Sequence, residues 1–222
     1  MKHKTYAVKL NGETPLLLHR DNIEWSDAMK KWGADPANKK ESVNGDDRTP
    51  AFRWIGCLYV SGGKVVIDAD NLMTMMREGG KRCLTGKGKG TFKAATQSGI
   101  VVNEIAWPIV TPKGEIPIQP ILDLQQEKDF ERHEQVARDL GFCLFVKRAR
   151  VGTAKHTRVR PRFDSWSASG TLTVLDEQIT TDVLRNILVH AGAYAGLGDW
   201  RPSSPMAPGS FGKFTVEIQE VK

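Results

Sequence analysis

The chain has 222 residues, 40% hydrophobic and 26% charged, enough apolar material for a real core and too much for a disordered protein. Lys+Arg 32 against Asp+Glu 26 leaves a net charge of +6 and a pI near 9.2, which permits a polyanionic partner without naming one. Cys57, Cys83 and Cys143 form no CxxC or Cys/His pair, arguing against a disulfide framework or zinc site, and no apolar run reaches signal-peptide or membrane-span length. The expectation is a cytoplasmic protein with no membrane partner, no cofactor and no metal.

Thr5 to Leu10 sets Tyr6, Val8 and Leu10 against Thr5, Ala7 and Lys9, the period-two pattern of a half-buried strand. Asn11-Gly12 marks a turn or bulge before Pro15-Leu16-Leu17-Leu18. His19 and Arg20 follow where that strand hands over to a loop; His19 reads as a surface or capping residue, or as one that contacts ligand or takes part in catalysis. Ile23 to Trp32 has the spacing of a short helix, and the roughly twenty residues after it lack periodicity, which fits a functional insertion or disorder. Ala51 to Val60 fits a hairpin or a short helix plus strand, and Lys64 to Ile67 a strand. Asp68 or Asp70 then caps a helix whose inward stripe is Leu72, Met75 and Met76, with Gly79-Gly80 as its C-cap.

The first basic segment follows. Arg77, Lys81, Arg82, Lys87, Lys89 and Lys93 face only Glu78, and Gly86-Lys87-Gly88 lacks both the spacing and the context of a P-loop, leaving a Lys/Gly loop that is either a solvated turn or a phosphate clamp. Ile100 to Val110 reads as a strand broken near Pro108, and the charged stretch from Gln125 to Gly141 as an exposed helix without chemistry. The second basic segment carries Lys147, Arg148, Arg150, Lys155, Arg158, Arg160 and Arg162 without one acid. Arg158, Arg160 and Arg162 alternate with Val159, Pro161 and Phe163, so an extended chain puts the guanidinium groups on one side, and Gly152 to Thr157 is the expected tip of a basic hairpin. An Arg-rich hairpin of this kind fits phosphate recognition. Trp166 to Leu175 is a further strand.

Thr180 or Thr181 caps a last helix with Val183, Leu184, Ile187, Leu188 and Ala191 on one side. Beyond it a Gly/Pro-rich loop carries Trp200 and Arg201 into a closing strand. Trp200 is either a core aromatic that closes the loop or a ring that stacks on a base, with Arg201 beside it. The element order is that of an α+β, ferredoxin-like βαββαβ domain spanning 1–222, with long insertions at approximately 20–50 and 111–140 and a C-terminal glycine-rich loop. The acidic pairs Asp46-Asp47, Asp68/Asp70 and Asp176-Glu177 read as turns and caps rather than metal ligands.

The stretch GLGDWRPSSPMAPGSFGKF resembles the glycine-rich loop of the RAMP superfamily of CRISPR-associated proteins, through Gly196, Gly198, Gly209, Phe211, Gly212 and Phe214. YAVKLNGETPLLLHR is similar to that family's first strand, and Leu72 and Arg77 match its entry into the first helix, while Ala69 and Asn71 depart from it. The layout is also similar to proteins of tailed bacteriophages and prophages. The resemblance implies a modified RNA-recognition-motif fold that binds single-stranded RNA (or DNA) in a bacterial host cell. It further implies a homo-oligomer or filament with other ribonucleoprotein subunits, the loop from Asn38 to Asp47 acting as a thumb. Two alternatives stay open: a metal-independent endoribonuclease using His19 or His156 as general acid/base, and a phage assembly protein with an acidic partner.

Overall fold

The computed structural model describes residues 3–39, 41, 43, 45–86, 88–206 and 208–221. Their elements, in order, are β1 (Lys4–Gly12), β2 (Leu16–Leu17), α1 (Ile23–Ala34), β3 (Val60–Ser61), β4 (Lys64–Asp68), α2 (Ala69–Gly80), α3 (Lys93–Gly99), β5 (Ile100–Val102), β6 (Ala106–Thr111), β7 (Gly114–Glu115), α4 (Gln119–Leu122), α5 (Phe130–Asp139), β8 (Cys143–Val151), β9 (Ala154–Phe163), β10 (Ser167–Val174), α6 (Thr181–His190) and β11 (Phe214–Val221). The fold is α+β. The main sheet runs β11-β1-β10-β6-β4-β3, with β5 also on β10, and its paired strands are antiparallel. With β5 and β6 taken as one interrupted strand, the centre of that order is fourth-first-third-second, the arrangement of a βαββαβ unit, with α2 and α6 as its crossing helices.

Period-two alternation produces the sheet's two faces. Tyr6, Val8 and Leu10 are buried along β1, as are Ala168, Leu172 and Val174 along β10. Against that face lie Leu72, Met75 and Met76 of α2 and Leu184, Ile187 and Leu188 of α6. Each fully buried side chain of this size contributes roughly 1.5–3 kcal/mol. Thr180 caps α6 as expected, accepting from the Val183 amide at 3.3 Å. The Gly79-Gly80 pair has another role than the expected C-cap: both lie inside α2, and Lys81 takes the C-cap position. A Cβ at Gly79 would overlap the Ile187 carbonyl, so glycine here permits close approach of α2 and α6.

Two further expectations are corrected. Asn11 and Gly12 continue β1 rather than turn, paired to Thr215 and Phe214. The strand break falls at 103–105, not at Pro108, which pairs with Val66 inside β6. At the break Glu104 replaces ladder partners: its carboxylate accepts from Thr171 N at 2.9 Å, Thr171 Oγ1 at 2.8 Å and Trp107 Nε1 at 2.9 Å.

A second, three-stranded sheet, β2-β9-β8, is covered by Ala51–Cys57, a 3₁₀ segment, and by α5. Trp54, Phe142 and Phe163 pack in sequence at its core, with centroids 5.9 and 5.1 Å apart. The helix expected to be exposed buries His133 completely; its Nδ1 accepts from Trp54 Nε1 at 3.1 Å, and its Nε2 reaches the Glu127 carbonyl at 3.1 Å. Burial holds this imidazole below its ordinary pKa. On the opposite side of the main sheet, Thr5, Ala7, Lys9, Ser169, Thr171, Thr173 and Gln219 alternate with the buried positions, so these central strands offer no ring for stacking a base there.

Candidate nucleic-acid interface

The basic hairpin forms with a tighter tip than expected: Val151 pairs with Ala154, so Gly152 and Thr153 make the turn and Ala154 to Thr157 belong to β9. Residues directly opposed across an antiparallel pair share a face. Cys143, Phe145, Lys147 and Ala149 thus stand with Arg162, Arg160, Arg158 and His156, while Arg148, Arg150 and Lys155 lie on the other face with Val146 and Val159. The three arginines do share a side and Lys147 joins them, while Arg148, Arg150 and Lys155 split away.

That face meets the glycine-rich loop. Trp200 lies edge-on to Phe145, with centroids 6.2 Å apart, and Phe211 completes the cluster at 5.9 Å from Phe145 and 6.2 Å from Trp200. Lys147 Nζ stands 4.5 Å over the Trp200 ring, and the Arg162 guanidinium 5.0 Å over Phe145. All three rings are half-buried and Lys147 is exposed.

The glycines of the loop are explained by the chain itself. Gly196, Gly198 and Gly212 have φ of +69°, +76° and +70°. A Cβ at Gly198 would overlap the Leu17 carbonyl, one at Gly212 the Leu197 carbonyl, and one at Gly209 the Trp200 carbonyl. Asp199 N bonds Leu17 O at 2.9 Å and Gly212 N bonds Pro15 O at 2.8 Å, stitching the loop onto β2 and the turn before it. Arg201 is a brace, donating from Nη1 to Gly198 O at 2.9 Å and from Nε to Ser203 Oγ at 3.2 Å. Trp200 is held at φ +49°, an uncommon angle for a bulky residue, which aims its ring at the hairpin.

The hairpin is free of acids in sequence but not in space. Asp47, 4% exposed, accepts from Arg158 Nη1 at 3.1 Å and Arg53 Nη1 at 3.3 Å, and lies 3.5 Å from Arg160 Nη1. Arg160, itself 9% exposed, also reaches Asp199 at 3.4 Å and His19 Nδ1 at 3.4 Å. Arg162 pairs with Asp164 at 2.8 Å. The backbone delivers Asp47: Asp47 N bonds Thr157 O at 2.9 Å and Thr157 N bonds Gly45 O at 2.7 Å, laying 45–47 alongside β9. Lys40, Ser42 and Asn44 of the expected thumb lie outside the described residues.

His19 is therefore in a charged cluster, 3.7 Å from Asp199 and half-exposed. Burial lowers its pKa, Arg160 lowers it further and Asp199 opposes both, so the imidazole is held below its ordinary value. Cys57 lies 4.0 Å from Arg160, and burial pushes its thiol up to about 11, so it offers no thiolate at neutral pH. His156 is elsewhere on the hairpin, against Gly45.

In the first basic segment Lys81 pairs with Glu78, with Arg77 3.9 Å from the same carboxylate, and Arg82 stands 4.6 Å over the Tyr194 ring. Lys89 and Lys93 bracket the start of α3, and Lys87 lies outside the described residues. Arg20 bears on Asp68, at the N-cap of α2. Among the described residues, the cations of the two basic segments thus take separate partners.

No family model and no curated protein matches the chain. Among solved structures it is similar to a chain in a crystal structure of a Csm1-Csm4 cassette in complex with AMPPNP, at 12% identity and a TM-score of 0.28, covering 99% of this chain and 71% of that one. A second cassette structure, in complex with pppApA, gives 11% identity and a TM-score of 0.27 over 99% and 70%. The strand order described above, not this likeness, defines the fold. No helix among the described residues is long and apolar enough to cross a membrane.

Phe145, Phe211, Arg53, Asp47 and Asp199 join this candidate site although the sequence did not mark them as site residues. Phe145 had a signal: it shares strand parity with Lys147 and Cys143. Phe211 was marked only as part of the glycine-loop resemblance, and Asp47, Arg53 and Asp199 are brought together by segments whose destination no local pattern encodes.

Proposed function

We propose that this chain binds single-stranded nucleic acid, RNA before DNA, along the phosphate backbone with little sequence preference, as one copy in a multimer of a CRISPR-like or phage ribonucleoprotein. The observation that carries the reading is the half-exposed cluster of Phe145, Trp200 and Phe211 with Lys147 and Arg162 over its rings. Aromatic faces accept any base and the cations accept any phosphate, which is the chemistry of sequence-tolerant single-strand binding. Exposed Arg148, Arg150 and Lys155 add positive charge on the opposite face of the hairpin near its tip. The preference for RNA and for a multimer rests on the resemblance of the glycine-rich loop.

Binding of a labelled single-stranded RNA, titrated from low to high salt, is expected to weaken by about 0.7 log units per log unit of salt for each phosphate neutralised. Affinity that stays flat across that range sinks the reading. The purified protein is also expected to carry RNase-sensitive nucleic acid.

A second reading, metal-independent RNA cleavage, is favoured by the position of His19. A neutral imidazole between Asp199 and Arg160 has a carboxylate to orient it and a guanidinium to stabilise charge on a phosphorane-like transition state. Cleavage in the presence of EDTA is expected to vanish in His19→Ala and persist in His156→Ala. Because the His19 pKa is lowered, the basic form persists below the ordinary histidine range, and the rate falls only as pH drops through the depressed value. Absence of cleavage in EDTA, or its survival in His19→Ala, removes this reading.

A further inference from the structure

Beside the aromatic face lies an open cleft of about 340 Å³, within the size range of small-ligand sites. Its lining includes the cations Arg20, Lys30, Arg53, Arg158 and Arg160, against the carboxylates Asp21 and Asp47, an excess of three positive charges. Asp199, bonded to Arg160, and Asp27, paired with Lys30, reduce that excess to one.

The arrangement of donors is more specific than the charge. Asp47 is buried and gathers three guanidinium groups from two separate parts of the chain, fixing their positions. Among the described residues, the side-chain hydrogen bonds of Arg53 and Arg158 all run from Nη1 to that carboxylate, leaving the rest of each fork uncommitted. Their side chains are 37% and 31% exposed. The N-cap of α1, Asn22, also lines the cleft, so the positive end of a twelve-residue helix faces the same space. Trp25, whose Nε1 is spent on Arg53 O at 3.1 Å, provides an apolar wall.

We infer that this cleft is a binding site for a phosphomonoester, with Arg53 and Arg158 forking its oxygens, Arg160 behind them and Trp25 against the attached sugar or base. A phosphomonoester carries about −1.5 to −2 charge at neutral pH and three free oxygens, which the net positive cleft attracts and the spare forks of Arg53 and Arg158 can bind. A phosphodiester inside a strand has only two free oxygens and occupies fewer of these donors. The group arises in two ways, as the terminal phosphate of a strand or as a free mononucleotide.

Calorimetry on the full chain with adenosine 5′-monophosphate and with adenosine reads the site directly, whatever the outcome of strand binding. The monophosphate is expected to bind at least tenfold more tightly, and Lys30→Gln and Arg53→Gln to reduce that preference, with thermal melts confirming that the variants fold. Lys30→Gln guards against a folding artefact, since the ion pair it removes, to Asp27, lies on the exposed side of α1. A monophosphate that binds no better than adenosine, or a preference unchanged in folded Arg53→Gln, overturns the inference. RNAs of one sequence with 5′-phosphate, 3′-phosphate or hydroxyl ends then separate the sources. Tighter binding of one phosphorylated end assigns the site to a strand terminus; equal binding of all three, with the monophosphate preference intact, assigns it to a free nucleotide. Binding of the hydroxyl-ended RNA reads the aromatic face alone.

Discussion

Asp47→Ala is expected to destabilise the folded chain by about 3 kcal/mol, the lower end of the range for removing one partner of a buried ion pair. The carboxylate is 4% exposed and serves Arg53, Arg158 and Arg160 at once. Arg53 and Arg158 are about one-third exposed and turn toward water when it is removed, which limits their share. Arg160 is 9% exposed and has less freedom; it keeps Asp199 at 3.4 Å and its own Val159 carbonyl at 3.0 Å. Its excess charge accounts for most of the loss. Asp47→Asn retains one oxygen acceptor and should fall between the two. Urea denaturation with an unchanged m-value checks the ranking. A loss below about 1 kcal/mol for Asp47→Ala would mean that Asp199 alone balances Arg160, and that the 45–47 segment is held by its backbone bonds to Thr157 rather than by charge.

The same residue shows where reading the sequence stops. The central sheet and its two helices were legible because each carries a short-range period: two for Tyr6, Val8 and Leu10, and between three and four for Leu184, Ile187 and Leu188. The common face of Arg158, Arg160 and Arg162 was legible for the same reason. Asp47 was not. It meets Arg158 across 111 positions, and beside Asp46 it resembles any turn pair. Asp46 is such a residue, bonded to Arg48 two positions on. His133 was hidden for a related reason: α5 is charged nearly all round, and only the need of Trp54 Nε1 for an acceptor explains a buried histidine on it. Proline removes a donor and so points to a break near Pro108, yet Pro108 sits in a paired strand, and it is the Glu104 carboxylate that satisfies the Thr171 amide. In each case the deciding partner is distant in sequence, and no local pattern points to it. The glycine-rich loop was legible as a loop, but its glycines answer to Leu17, Leu197 and Trp200 carbonyls, so their presence alone does not call for a ligand.

What calls for one is the exposed half of the aromatic cluster, and the largest functional effect is expected there. Trp200→Ala should weaken binding of single-stranded RNA by about 1–3 kcal/mol, between about fivefold and 150-fold, the contribution of one base stacked on one ring. Trp200 is also a structural residue, packed on Phe145 and Phe211 at a positive φ, so a loss of affinity alone has two explanations. Lys147→Gln separates them. Lys147 is exposed, and its ammonium touches the ring rather than a buried group. Its replacement should leave the melting temperature within about a degree or two and make the salt slope shallower by about 0.7, the signature of one lost phosphate contact. Trp200→Phe keeps a stacking face and should retain most of the affinity. If Trp200→Ala lowers stability while the folded fraction binds as tightly as before, and Lys147→Gln leaves the salt slope unchanged, the ring is a brace and the strand runs elsewhere. If affinity falls in Trp200→Ala, the slope falls in Lys147→Gln and the melting temperature of the latter holds, the strand runs across the face where the hairpin meets the loop, because there a base-sized ring and an unburied cation occupy the same few ångströms.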